Sequence, residues 1–361
     1  MKKVISIALV LVLALSVFAM VGCGKDKEPV ETPTENVAET LKFGMGVVAS
    51  YGDKTDADGD TNGACEVNTT AVAVLLDKDS KIVDIDLDSV VASASWTSEG
   101  KAIAGEEIKT KYELGSDYGM TAAINYGPQN DPNGDGKVLE WNDQADIFKA
   151  TAVGKTLAEV KAFVAENGST TGGLATAGCT INVSEFMAAL EKAVANAVDS
   201  KATADNKLSL AIASSVENTD ATEDANGKAA VSSTAVATVI GADAKVVVAK
   251  TDSIAVEIDF DAKGISSTDV AAEIKTKGEL GADYGMTAAI NYGPQNDPNG
   301  DGKVLEWNEQ AAAFDAALVG KTASDFAALA GEDGRGTGDL ATAGCTIAIG
   351  EMIKAAEKAA K

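Results

Sequence analysis

The chain repeats itself, and the repeat is too long to be a solenoid. Residues Ile108–Thr180 align without a gap with Ile274–Thr346 at an offset of 166 residues. Within that span Asp117–Asn142 is identical to Asp283–Asn308. Upstream, Val67–Val72 matches Val231–Val236 at an offset of 164, so a two-residue insertion separates the copies. Solenoid units run to about 20–50 residues and stack on one another. A unit of this length is the size of an ordinary domain. The spacing therefore predicts two independent globular domains, residues 41–200 and 201–361.

Each copy opens on strands. Thr70–Leu76 is rich in β-formers, Asp77–Ser80 is polar turn chemistry, and Ile82–Asp88 alternates apolar with acidic residues. Alternation at period two predicts Val83, Ile85 and Leu87 facing a core and the aspartates facing water. Helices follow. Gly105–Leu114 reads as helical. Asn142 can cap a helix carrying Ala145, Phe148 and Ala152 on one face. Thr156-Leu157-Ala158-Glu159 is a capping box, with Thr322–Asp325 as its counterpart. A last helix is expected from about Ser184 to Val198, and its counterpart ends the chain. Strands followed by helices predict an α+β fold, an antiparallel sheet in each copy with helices packed on one side.

Ahead of the repeats, Lys2 and Lys3 precede an apolar run from Val4 to Ala19 and then Met20-Val21-Gly22-Cys23. A charged start, a short apolar core and small residues at a cut describe an export signal. The four residues ending at Cys23 resemble the lipobox of bacterial lipoproteins. The resemblance implies cleavage after residue 22, diacylation of the Cys23 thiol, and a body held by lipid on the outer face of the cell membrane. Residues 24–40 hold Pro29 and Pro33 among Glu, Lys and Thr, a composition that cannot bury a core and reads as a tether. The formal charge of −25 argues against a nucleic-acid partner, since a phosphate backbone needs a basic footprint.

The chain contains no histidine. That excludes Ser-His-Asp and Cys-His catalysis, His-ligated zinc and axial haem histidines. Beyond Cys23, only Cys65, Cys179 and Cys345 remain, an odd number without metal-knuckle spacing. Small buried thiols are the plainer reading of Cys179 and Cys345, and redox groups the other.

Two segments carry candidate chemistry. Asp131-Pro132-Asn133-Gly134-Asp135-Gly136 recurs at Asp297–Gly302. Oxygen ligands at positions one, three and five with Gly at six match the start of a calcium loop. Asp131, Asn133 and Asp135, with Asp297, Asn299 and Asp301, are the candidate ligands. Position twelve is Asn142 rather than a bidentate Glu, so the site is expected to be weak if it is more than a turn. Asp56–Asp60 is a lesser candidate without the Gly at six. Gly154-Lys155-Thr156 looks like the end of a phosphate loop, but the upstream glycine is missing, and a helix cap is the better reading.

The second segment is Leu174–Thr180, repeated at Leu340–Thr346. Gly178 and Gly344 would let backbone approach a ligand, and a helix start favours phosphate. The order of parts resembles the FMN-binding domain of Rnf and sodium-pumping quinone reductase subunits, and of flavinylated lipoproteins of extracellular electron transfer. It consists of a hairpin with a Lys-Ile-Val second strand, then helices, then Gly-x-Thr before a last helix. In that family a Ser/Thr-Gly-Ala-Thr segment takes FMN as a phosphoester on its last Thr, which implies Thr180 and Thr346. Here Ala177 and Ala343 stand in place of Ser/Thr, and Cys179 and Cys345 in place of Ala. Lys109–Met120 and Glu140–Gln144 also resemble segments of uncharacterised lipoproteins of Gram-positive anaerobes, which implies no activity. The open alternative for Thr180 is a helix-start hydroxyl satisfying backbone N–H groups.

Two functions are expected from these readings. One is a lipid-anchored electron carrier binding FMN in each copy and served by a membrane donor. The other is a non-enzymatic lipoprotein that binds a ligand or partner through calcium-stiffened loops.

Overall fold

The computed structural model describes residues 39–121, 139–287 and 305–361. Cys23 and the two Asp-Asn-Asp loops lie outside the described residues. Both halves hold helices and antiparallel strands, as an α+β fold requires.

The first half contributes strands β1 (Lys42–Thr55), β2 (Gly63–Leu76), β3 (Ile82–Trp96) and the short β4 (Ala102–Ile103). Then come helices α1 (Lys111–Leu114), α2 (Trp141–Ala152), α3 (Leu157–Lys161), α4 (Gly172–Ala177) and α5 (Ser184–Ala195), followed by β5 (Val198–Asp199). The second half runs β6 (Lys207–Thr219), β7 (Gly227–Ile240), β8 (Val246–Phe260), α6 (Lys277–Leu280), α7 (Trp307–Leu318), α8 (Gly338–Thr342) and α9 (Gly350–Ala359). The sheets are β4-β3-β2-β1-β5 and β6-β7-β8, with every pairing antiparallel. Thr156 caps α3 through the expected box. Its counterpart Thr322 starts a 3₁₀ helix, Ala323–Leu329.

The alternation of side chains along the strands builds a layered body. On β2, Val72 and Val74 point to a cluster with Trp141, Phe148 and Leu190 of the helices. Ala71, Ala73 and Leu75 point the other way, to Leu210 and Ile212 of β6 and Ala237 of β7. Val236 of β7 faces Phe314 and Met352 of the second set of helices. Helices therefore cover the outer face of each sheet, and the inner faces cover each other. On β1, Gly44 and Gly46 face α5, and a Cβ at either would overlap the carbonyl oxygens of Ala193 and Ala189. Only glycine lets this helix lie so close to the strand.

Ala38–Lys361 is one compact unit, which corrects the expectation of two independent globules. The halves meet through matching contacts in the manner of an isologous dimer interface. Ala57 N donates to Gly264 O at 2.9 Å, and Ala221 N donates to Gly100 O at 2.8 Å. Lys192 pairs with Glu279 at 2.5 Å, and Lys358 with Glu113 at 2.6 Å. Each of these contacts is the other's equivalent at the repeat offset. Trp96 and Phe260, themselves equivalent positions, stack at 4.8 Å with ring planes 2° apart. Each ring also covers a glycine of the neighbouring strand, Gly63 and Gly227 respectively.

This interface explains where the strand expectation goes wrong. Ile85 and Leu87 face the helices as expected, but a register shift at Leu75/Leu76 turns Val83 to the inner cluster. The aspartates face the second sheet rather than open water. Asp86 Oδ2 accepts the N–H of Leu210 on β6 at 2.9 Å, satisfying an edge-strand donor. The helix expectations shift too. α1 starts only at Lys111, and α2 is capped at Glu140, two residues before Asn142.

Candidate functional site

Polar side chains gather on the sheet face beside the N-terminal ends of α5 and α9, and those on β2 and β3, and on β7 and β8, are buried. In the first half Ser50 Oγ donates to Glu185 Oε1 at 2.9 Å, and Thr70 Oγ1 donates to Glu185 Oε2 at 3.0 Å. Thr70 and Ser89 share a hydrogen bond of 2.7 Å. In the second half Ser215 donates to Glu351, and the single proton of the Thr234 hydroxyl is shared between Ser253 Oγ at 3.1 Å and Glu351 Oε2 at 3.5 Å. Three adjacent strands thus each supply one hydroxyl, and the first turn of the last helix supplies the carboxylate.

Lys277 completes the second cluster, and its equivalent Lys111 keeps the same aromatic contacts in the first half. Lys111 Nζ stands 5.2 Å from the Tyr118 ring centroid and 5.4 Å from that of Trp141. Lys277 Nζ stands 5.5 Å from Tyr284 and 5.4 Å from Trp307. These are cation–π distances. The lysine is held there because its short helix is capped twice. Thr110 and Glu113 form a capping box at α1, as Thr276 and Glu279 do at α6. Asp88 on β3 accepts Tyr112 N at 3.3 Å and Ser89 N at 2.7 Å. Asp252 on β8 accepts Gly278 N at 3.0 Å and Ser253 N at 2.8 Å. Burial pushes the Asp88 carboxyl up to about 7 against these bonds. Burial lowers the Lys277 pKa, and the charges of Glu351 and Asp252 oppose that shift.

The two clusters are not equal. In the first half Trp141 is met edge-on by Tyr112 at 5.4 Å and by Phe186 at 5.5 Å. The equivalent positions in the second half are Gly278 and Met352. Beside Trp307 there is a cleft of about 340 Å³, lined by Lys277, Glu351, Met352 and the hydroxyls of Ser215, Thr234 and Ser253.

The Thr-bearing segments lie elsewhere. Gly178 (φ 113°) and Gly344 (φ 104°) have left-handed backbones at the ends of short helices, so their freedom serves chain reversal. Gln144 Oε1 accepts Thr180 N at 2.7 Å, Thr180 Oγ1 at 3.2 Å and Ile181 N at 3.0 Å. Gln310 Oε1 accepts Thr346 N at 2.9 Å and Thr346 Oγ1 at 3.3 Å. Thr346 is buried, and its hydroxyl is engaged. Each threonine stands before the first residue of its helix, Ser184 or Gly350, and follows a helix C-terminus. A helix C-terminus carries partial negative charge, the wrong sign for phosphate.

Cys179 and Cys345 are fully buried, and burial pushes both thiols up to about 12, which leaves them inert. Asp56 Oδ1 accepts Ser266 N at 2.8 Å, so that segment serves the contact between halves. Among the described residues no group of three or more carboxylates and thiols could hold a metal ion. No described helix is long and apolar enough to cross a membrane.

Gln144, Gln310, Glu185, Glu351, Lys111 and Lys277 were not singled out by sequence reasoning. One signal could have found them: each is the same residue type in both copies, and Glu185 and Glu351 keep theirs although the sequence before them drifts. Comparison of the chain with protein-family models, curated proteins and solved structures gives no match.

Proposed function

We propose that the chain is a lipid-anchored, extracytoplasmic, non-enzymatic binding protein that captures a small polar solute at the cluster in each half. The observation that carries this reading is the recurrence of one Lys–Trp–Glu–hydroxyl arrangement in both halves, beside a cleft of about 340 Å³ in the second. Ligand sites combine an apolar wall with a few convergent polar groups, and their volumes begin at about 300 Å³. The leader and the Met20–Cys23 segment support the anchor. Calcium at the Asp131 and Asp297 loops belongs to the same proposal as a stabiliser.

The FMN reading shares the location but draws on Thr180 and Thr346. A phosphoester at Thr346 would have to expose a buried hydroxyl and break its bond to Gln310. The test is a thermal-shift screen of the full chain in detergent against amino acids, sugars, nucleosides and FMN. A solute-dependent rise in melting temperature, lost when Lys111 and Lys277 are both changed to Met, is the expected result. A flat screen, or shifts indifferent to the double substitution, would overturn the proposal. In-gel fluorescence of denatured protein after co-expression with a flavin transferase would instead restore the FMN reading.

A further inference from the structure

The cleft of the second half presents opposite charges and an apolar wall to the same small volume. Lys277 supplies a cation, held between aromatic rings and so limited in how far it can swing. Glu351 supplies an anion whose two oxygens already accept from Ser215 and Thr234. A carboxylate has about four lone-pair positions, so these bonds orient Glu351 and leave acceptor capacity over. Trp307 and Met352 give a flat indole and a polarizable thioether beside the charges. The positions of Tyr112 and Phe186 are held by Gly278 and Met352 here, so among the described residues a thioether packs beside the indole where rings pack beside Trp141, and both indoles are buried to the same degree.

This set of groups selects among solutes. A lone anion would meet Lys277 but also Glu351 and, at the rim, Glu217. A lone cation would meet Glu351 but also Lys277. A neutral sugar would leave both charges partly desolvated without compensation. A molecule carrying both a carboxylate and an ammonium satisfies both. We propose that the cleft beside Trp307 binds a small zwitterion, an α-amino acid or a dipeptide, with its carboxylate on Lys277, its ammonium on Glu351 and its side chain along Trp307 and Met352. Charge-assisted hydrogen bonds of this kind are the strong ones, and buried sites leave them unscreened. The inference rests on the binding-protein reading and deepens it at one of the two clusters.

The test is calorimetric titration of the detergent-solubilised full chain with L-alanine, L-methionine and L-alanyl-L-alanine. Propionate and propylamine serve as half-ligand controls. The expected result is saturable binding of at least one zwitterion, with both half-ligands at least tenfold weaker. Lys277→Met and Glu351→Gln should each weaken that zwitterion at least tenfold. Restoring a cation with Lys277→Arg should recover part of the loss, which a merely structural role would not predict. Binding of propionate as tight as that of L-alanine would overturn the zwitterion. So would zwitterion binding that Lys277→Met leaves intact. If a sugar or nucleoside binds in a Lys277-dependent way and no zwitterion does, the binding reading stands and this inference fails. If no solute binds, both fail.

Discussion

Replacing Trp96 by Ala should destabilise the whole body rather than one half of it. Trp96 is fully buried, stacks on Phe260 across the contact between halves, and donates Nε1–H to Gly264 O at 2.8 Å. Removing a buried Trp side chain costs about 3–5 kcal/mol in transfer and cavity terms. The aromatic pair adds about 0.5–1.5 kcal/mol. Gly264 O keeps a second donor, Ala57 N at 2.9 Å, so no buried carbonyl is orphaned. The sum is a loss of about 3.5–6.5 kcal/mol for Trp96→Ala. Trp96→Phe keeps a stack and loses the N–H, and should cost about 1–2 kcal/mol. The assay is urea unfolding followed by far-UV circular dichroism, with tryptophan fluorescence as a second probe of Trp141 and Trp307. One transition shifted as a unit by both probes is the expected outcome. Two transitions, only one of which moves, would refute the shared core, and so would a loss below about 1 kcal/mol for Trp96→Ala.

Other consequences can be measured on the same samples. Gln310→Leu removes the acceptor of Thr346 N and the donor to Leu305 O at 2.9 Å, and should cost about 2–4 kcal/mol by urea midpoint. Gly46→Ala drives a Cβ into the backbone of α5 and should cost about 3 kcal/mol or more, read as a fall in melting temperature. Burial raises Asp88 to about 7 and Asp315 to about 6, against an ordinary value of 3.8. Between these values the folded chain holds protons that the unfolded chain has released, so stability is full below the ordinary carboxylate range and is lost as pH rises through about 6–7. Asp88→Asn should therefore be near neutral at pH about 4 and stabilising by about 1–3 kcal/mol at pH about 8, and a variant less stable at the higher pH would contradict the sign.

Much of the fold is written locally. The β2–β3 hairpin follows from the Thr70–Leu76 run, the Asp77–Ser80 turn and the alternation after it, and the α3 cap from Thr156 and Glu159. Other features are not local. β1 reads poorly because Gly44 and Gly46 look like breakers, and their reason is a helix well over a hundred residues away. Asp86 looks like a surface residue until β6 supplies the N–H it accepts. The two halves even exchange a charge pair, which only a comparison of the copies reveals. Lys149 meets Asp86 at 3.3 Å in the first, while Asp315 is buried near Lys250 at the same positions of the second. The candidate site was hidden for the same reason. Ser50, Thr70, Ser89 and Glu185 are single polar residues scattered along the chain, and only the sheet and the start of α5 bring them together. Thr180 and Thr346 drew attention as a compact motif, but a compact motif can equally be a turn braced by one glutamine.

The number of zwitterions bound per chain tests the central claim most directly. Calorimetry of the full chain should give up to two sites, with the second cluster, which borders the cleft beside Trp307, the tighter binder. Lys277→Met should remove the tighter site and leave any weaker one, and the further change Lys111→Met should remove all saturable heat. Stoichiometry and affinity unchanged in the double variant would contradict the assignment of binding to these clusters.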